Sequence, residues 1–463
     1  MKIAKLSLVA IVVAGLASSS FAASDTLADA FKNGKVTGEL RAWYFDRDTG
    51  SSNPTVSIPG KDGTLGKGDA DIFSTGVMLS YVTDSLYGLT LGLTMQSSYA
   101  PFADDDAKNL YATDMYGSGA VLSEAYVAYT IGKTTAKVGR QFITSPLVNS
   151  SSSRMIKEAF QAAVLVNTDL PNTTLVAGYS DKFQGRTSDY DASVAGGESG
   201  IPNFKKEAVF YGTGKANNGS NVFGFDGAYT AAAINTSITN LTLTGQYLFV
   251  NDVELTNGGD ANVFYAEGNY VVPLSTMKLL LDATYRGSRT SNATFDSFHV
   301  EGDMYQGRVG FKELAGFNGS FAYSTVSSGQ SVLLGAGNGP TTYTAPLIKG
   351  AEVTSGANTD AYKVEVGYDF TKVGVTGLKV LGQYVKINQD ASSVAVGYIL
   401  NHAESDTKTK YWEGQIAYDI PSLKGLTLSL EYENATKDVA ALGATAASST
   451  DFNEMRFRAN YKF

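Results

Sequence analysis

The 463-residue chain contains no cysteine, two histidines, two tryptophans and ten prolines. Without cysteine no disulfide can form even in an oxidising compartment, so stability has to come from backbone pairing and packing. The histidines, His299 and His402, fall near a strand start and in a long loop. Neither spacing suggests a Ser-His-acid arrangement, and no enzymatic activity is expected. A basic excess is also missing: 36 Lys and Arg stand against 45 Asp and Glu, with a net charge of −9 and a pI near 4.9. That balance argues against nucleic acid as a partner and favours positive solutes if the acids line a path. The one long apolar run, Leu6–Ala17, is too short to span a bilayer as a helix.

This run follows Lys2 and Lys5 and precedes Ser20-Phe21-Ala22. A basic start, an apolar stretch and a small-residue site together describe a secretory signal peptide over residues 1–22, cut after Ala22. What the chain has in abundance is glycine (49), tyrosine (27) and phenylalanine (23), a composition of many strands and many turns. Period-two alternation recurs along the sequence. In "AYKVEVGYDF", Tyr362, Val364, Val366, Tyr368 and Phe370 oppose Lys363, Glu365, Gly367 and Asp369. In the terminal "MRFRANYKF", Met455, Phe457, Ala459, Tyr461 and Phe463 oppose Arg456, Arg458, Asn460 and Lys462. Short connections (83–88, 131–134, 168–173, 272–277, 314–319, 372–377, 420–425) alternate with long polar ones (47–70, 100–120, 144–156, 182–220, 287–297, 325–359, 388–408, 435–451). About 18 strands so arranged, over residues 23–463, describe an all-β transmembrane antiparallel β-barrel with short periplasmic turns and long extracellular loops. Lipid leaves no unpaired backbone group tolerable, so the last strand must pair with the first, and a chain end that alternates to its final ring meets that need.

Parity assigns most of the candidate lumen residues, with Arg154 added from its place at the end of the 144–156 loop and Arg140 from a strand whose parity is ambiguous. The basic set is Arg41, Arg140, Arg154, Arg456 and Arg458, with Lys462 beside them. The acidic set is Glu39, Glu124, Asp282, Glu301, Asp303, Glu365, Glu413 and Glu431, with Glu267, Asp369 and Glu433. Charges of both signs in a narrow low-dielectric wall would orient dipolar solutes. Asp104, Asp105 and Asp106 offer carboxylate oxygens for Ca²⁺, although their spacing lacks a calcium-loop pattern and a solvated loop is the commoner meaning. The Gly-rich stretches 63–70 and 333–340 lack phosphate-loop context and read as external loops. No cofactor is expected.

Two segments carry a family likeness. "DAFKNGKVTGELRAWYFDRDTG" (Asp29–Gly50) and "AKVGRQFITSPLVNSSSSRMIKEAFQAAVLVNTDLPNTTLVAGY" (Ala136–Tyr179) resemble OprD-like porins and the related epsilon-proteobacterial major outer-membrane porins. The resemblance implies an 18-stranded trimeric channel in the outer membrane, among lipid and lipopolysaccharide, with an inward-folded loop over 144–156 as the constriction. The expected function is passive diffusion of small hydrophilic solutes and ions with a cation preference. The alternatives are a substrate-specific channel for amino acids or small organic acids, and a structural or adhesive surface protein.

Overall fold

The computed structural model describes residues 24–463 except 51–67, 113, 188, 191–198, 212–221, 254–257, 292–298, 392–402, 404 and 444. The segment expected to be a signal peptide, His402 and most of the stretch 63–70 lie outside the described residues.

Eighteen long strands form the wall. They are β1 (Lys35–Asp48), β2 (Asp69–Val82), β3 (Leu89–Ser98), β4 (Gly119–Ile131), β5 (Thr134–Gln141) and β6 (Ala159–Asn167). Next come β7 (Thr173–Gln184), β8 (Gly227–Asn235), β9 (Leu241–Asn251), β10 (Ala261–Pro273), β11 (Lys278–Thr290) and β12 (Asp303–Leu314). The wall ends with β13 (Phe317–Val326), β14 (Thr359–Asp369), β15 (Leu378–Gln389), β16 (Thr407–Asp419), β17 (Leu426–Val439) and β18 (Ser448–Lys462). Each pairs antiparallel with its sequence neighbour, and β18 returns to β1 in a register running from Glu39↔Lys462 to Asp48↔Asn453. The seam is finished by Phe463 itself, whose N–H donates to Gly38 O at 3.1 Å while Gly38 N–H donates to Phe463 O at 2.9 Å.

Because successive side chains point to opposite faces, one parity of each strand meets lipid and the other the interior. Val364 and Val366 are exposed and Lys363 and Glu365 lie on the inner parity. In β18, Phe457, Tyr461 and Phe463 face outward, the last 53% exposed and stacked on Tyr461 with centroids 6.2 Å apart. Toward the long-loop rim, outward tyrosines donate to outward Asp or Asn residues of the neighbouring strand: Tyr247 to Asn262 at 2.5 Å, Tyr285 to Asp303 at 2.7 Å, Tyr323 to Asp360 at 2.6 Å and Tyr432 to Asn453 at 3.1 Å. Rings with a wet hydroxyl mark the boundary between hydrocarbon and polar surroundings.

Two connections differ from the reading of the sequence. The turn 236–240 and the connection 252–260 are not among the connections read from the sequence, where the alternation is hardest to follow over 182–230, the stretch leading into β8. Within the long connection 182–220, Glu207–Tyr211 joins Val222–Gly224 and Gly335–Ala336 in a small separate sheet. A larger correction concerns residues 327–358. The sequence reads them as part of an external loop, yet Val332, Leu333, Leu334, Thr344, Ala351, Thr354 and Ser355 are all at most 1% exposed. The Gly-rich 333–340 is packed against Leu147 and Asn149, where Gly335 and Gly337 have positive φ and a Cβ would strike backbone atoms.

A lysine at the middle of the lipid face tests this wall. Val364→Lys is expected to destabilise the barrel by about 2–4 kcal/mol, read from denaturant unfolding in vesicles. Val326→Ala, on the inner parity, serves as a control without a lipid-facing charge.

Candidate functional site

The seam that closes the wall also carries its densest charge. Along β1, Glu39, Arg41, Trp43, Phe45 and Arg47 take the inner parity. Along β18, the inner residues opposite them are Lys462, Asn460, Arg458, Arg456 and Glu454 in the same order. Residues two apart on a strand are about 6.7 Å apart, so Arg41 to Arg47 covers roughly 20 Å of the wall. Aromatic faces are interleaved with the cations. The Arg456 and Arg458 guanidinium carbons lie 4.8 and 5.1 Å from the Phe45 centroid, and Arg458 lies 4.9 Å from Trp43. Trp43 is fixed by its indole N–H, which donates to Asn460 Oδ1 at 2.8 Å.

Each guanidinium meets a carboxylate. Arg41 pairs with Glu39 at 3.0 Å, Arg456 with Glu454 at 2.7 Å, and Arg47 with Glu454 at 2.9 Å and Asp114 at 2.7 Å. Arg458 pairs with Glu431, and Arg154 with Asp114. Five arginines thus share four carboxylates, and Arg186 approaches the same group through Ser153 Oγ at 3.0 Å. The balance is positive, in a site too buried for bulk water to screen it fully.

Two loops cross the interior and narrow it. The segment 142–158 begins after β5 and runs across the barrel: Leu147 N–H donates to Gln246 of β9, while Arg41 of β1 donates to Met155 O at 2.8 Å and Arg154 O at 3.3 Å. The segment 327–358 is held by carboxylates of β16 and β17, next to the seam strand β18. Leu347 and Ile348 N–H groups donate to Glu413 at 2.6 and 3.0 Å, and Lys349 N–H to Glu433 at 3.1 Å. The two loops are joined by Glu158, which accepts from Ser151 N–H, Asn338 N–H and Asn338 Nδ2. Burial pushes the Glu158 carboxyl up, opposed by Arg186 and by these donors. Burial lowers Lys157, with Glu124 opposing and Arg41 and Lys137 assisting.

Opposite the seam, Asp282 accepts from Arg308 Nε at 2.7 Å and from Asn269 at 2.7 Å. Glu267 accepts from Tyr343 Oη at 2.5 Å. A cavity of about 360 Å³ lies between the 142–158 loop and the inner faces of β4–β9. Its walls are largely apolar (Phe142, Val164, Leu248), with Lys157 and the Glu124–Lys137 pair at its polar end, Lys137 3.5 Å from Glu124.

Of the residues singled out by parity, Arg41, Arg456, Arg458, Glu39, Glu124, Asp282, Glu365, Glu413 and Glu431 take inner positions, and Arg154 comes to the seam on its loop. Three do not. Arg140 shares the outward parity of Val138, paired opposite Ala125, with its guanidinium over Phe204 at 4.5 Å. Asp303 faces outward because Met304 fills the inner position, and it pairs with Arg289 at 3.0 Å. Glu301 lies beyond the end of β11, accepting from Thr290 N–H and Oγ1. Asp369 caps a 3-10 turn by accepting from Thr371 N–H. Asp104 caps the helix α1 (Asp105–Leu110), Asp105 pairs with Lys108, and no group of three metal-ligating side chains exists among the described residues. Arg47, which has the same parity as Arg41, was overlooked, and Asp114 and Arg186 sit on loops that give no periodic signal.

The family model described as "outer membrane porin, OprD family" matches residues 29–215. No curated protein sequence matches the chain. Among solved structures, Acinetobacter baumannii OccAB3 superposes with a TM-score of 0.72 at 16% identity, covering 93% of this chain and 99% of its own. Pseudomonas aeruginosa OccK9 (OpdG) gives 0.70 at 15% identity, covering 94% and 99%. Pseudomonas aeruginosa OpdK, solved with vanillate, gives 0.68 at 15% identity, also covering 94% and 99%.

Glu158→Ala removes three hydrogen bonds to a charged acceptor, each worth about 1.5–3 kcal/mol, and so loosens the loops from each other, leaving the backbone bonds of Leu147 and Asn149 to Ala336 and Gly339 among their remaining ties. Single-channel conductance and open-channel noise in planar bilayers are expected to rise; traces matching wild type would show that the loops are held elsewhere.

Proposed function

We propose that this chain, which belongs with the OprD family of outer membrane porins, is a substrate-selective channel for small solutes bearing a carboxylate, amino acids or small organic acids among them. The observation that carries this reading is the track of Arg47, Arg456, Arg458 and Arg41 down the seam, with Arg154 brought in on the crossing loop. A carboxylate entering the barrel can exchange one guanidinium for the next at intervals short enough that it is never without a partner. Since each arginine already holds a protein carboxylate, the solute replaces a contact of similar strength and can leave again, as conduction requires. Arginine suits this exchange because its planar fork takes a carboxylate through two parallel bonds.

The apolar cavity beside the polar end formed by Lys137 and Lys157 supports a solute with a carboxylate on a compact apolar body. OpdK, one of the structures this chain resembles, was solved with a solute of that kind, vanillate. For inorganic ions a different preference follows. The acid excess of the whole chain favours cations at the mouths through the long-range field, while the seam acts at contact distance. Assembly as a trimer is part of the same proposal, and the mass of the detergent-solubilised protein checks it.

Arg458→Ala and Arg154→Ala test the reading. Each loses a charge-assisted contact of about 1.5–3 kcal/mol, so uptake of a carboxylate solute into proteoliposomes is expected to fall about tenfold or more. Uptake of a neutral sugar of the same size should change little. Reversal potentials in a salt gradient should shift further toward cations. Equal loss for charged and neutral solutes would mean that the arginines shape the pore without choosing what passes.

A further inference from the structure

Away from the seam, Arg286 on the inner face of β11 is the largest fully buried side chain of the described residues, at 1% exposure. Its Nη2 makes long contacts to Pro146 O at 3.5 Å and Thr341 O at 3.3 Å, one carbonyl from each inward loop. Its carbon lies 5.2 Å from the Tyr265 ring, the residue directly opposite it on β10. Nε and Nη1 have no hydrogen-bond partner, and neither has the buried Oγ1 of Thr284, two residues away on the same inner face. Leaving donors of a buried guanidinium unmade is among the costlier defects a structure can hold. Among the described residues no carboxylate pairs with Arg286. Glu267, on the neighbouring strand, is engaged by Tyr343 Oη and Asn269 Nδ2. The group is therefore rich in donors, positively charged and short of an acceptor.

We propose that Arg286 and Thr284 bind a small monovalent anion, a halide or a carboxylate-sized ion, where the 142–158 and 327–358 loops meet the wall. The anion would accept from Arg286 Nε and Nη1 and from Thr284 Oγ1 while Nη2 keeps its two carbonyls. By satisfying the rest of the guanidinium, it would hold in place the Nη2 contacts that tie both loops to β11. This site is separate from the seam and stands whether or not the arginine track selects solutes.

Bromide and formate distinguish the two kinds of anion. Crystals of the full barrel grown in bromide are expected to show an anomalous peak within hydrogen-bond distance of Arg286 Nε and Nη1. The thermal midpoint of the detergent-solubilised protein should rise on titration with chloride, bromide or formate in place of gluconate at constant ionic strength. A response to formate and not to halides would assign a carboxylate site; the reverse would assign a halide site. Thr284→Val should weaken the apparent affinity about tenfold, the effect of one hydrogen bond to a charged group, and Arg286→Met should abolish the dependence. If Arg286→Met fails to fold, the Thr284→Val titration and the bromide map still decide. An empty map with only ordered water at Arg286, or an anion response identical in wild type and Thr284→Val, overturns the proposal.

Discussion

In hydrocarbon a strand cannot leave a row of N–H and C=O groups unpaired, and a single sheet escapes that cost only by closing on itself. The contact on which this molecule depends is therefore the pairing of β18 with β1, completed by the two bonds between Gly38 and Phe463. The same pairing brings four arginines from the two ends of the chain into one column, with Trp43 and Phe45 between them. Closure and charge placement are one event, since neither β1 nor β18 alone carries a continuous track.

A second constraint operates inside. Loops folded into the barrel bring backbone donors away from bulk water, and these need partners as much as strand groups do. Glu413, Glu433, Glu158, Gln246 and Gln306 supply them, taking N–H groups of the inward loops. Much of the acid on the inner wall consequently serves to hold backbone. The arginines of the seam differ: they are paired with one another's acids in a group with more cations than anions.

The wall was legible because the pleat enforces a strict period of two, and the alternation of "AYKVEVGYDF" and "MRFRANYKF" survives intact in β14 and β18. The same rule located Arg41, Arg456 and Arg458. It failed at β5 and β12, where a charge was read inward although Val138 and Met304 show the opposite phase: Val138 is 58% exposed and Met304 is fully buried. The inward course of 327–358 was not legible at all. Its Gly, Ser and Thr content is that of a solvated loop, and what draws it inside is a set of carboxylates distant in sequence, on β16 and β17. Asp114 and Arg186 escaped notice for the same reason, since loop residues have no period to betray their neighbours.

The crossing of the 142–158 loop carries an implication for biogenesis. It is anchored at one end to β9 and at the other to β1, while its companion is fastened to β16 and β17. The anchors of the first loop, β9 and β1, lie on opposite arcs of the cylinder, so this loop cannot reach its resting place before the cylinder is whole. The newly inserted cylinder must pass through a wide-bored stage, and the narrow aperture is the last part of the molecule to be finished.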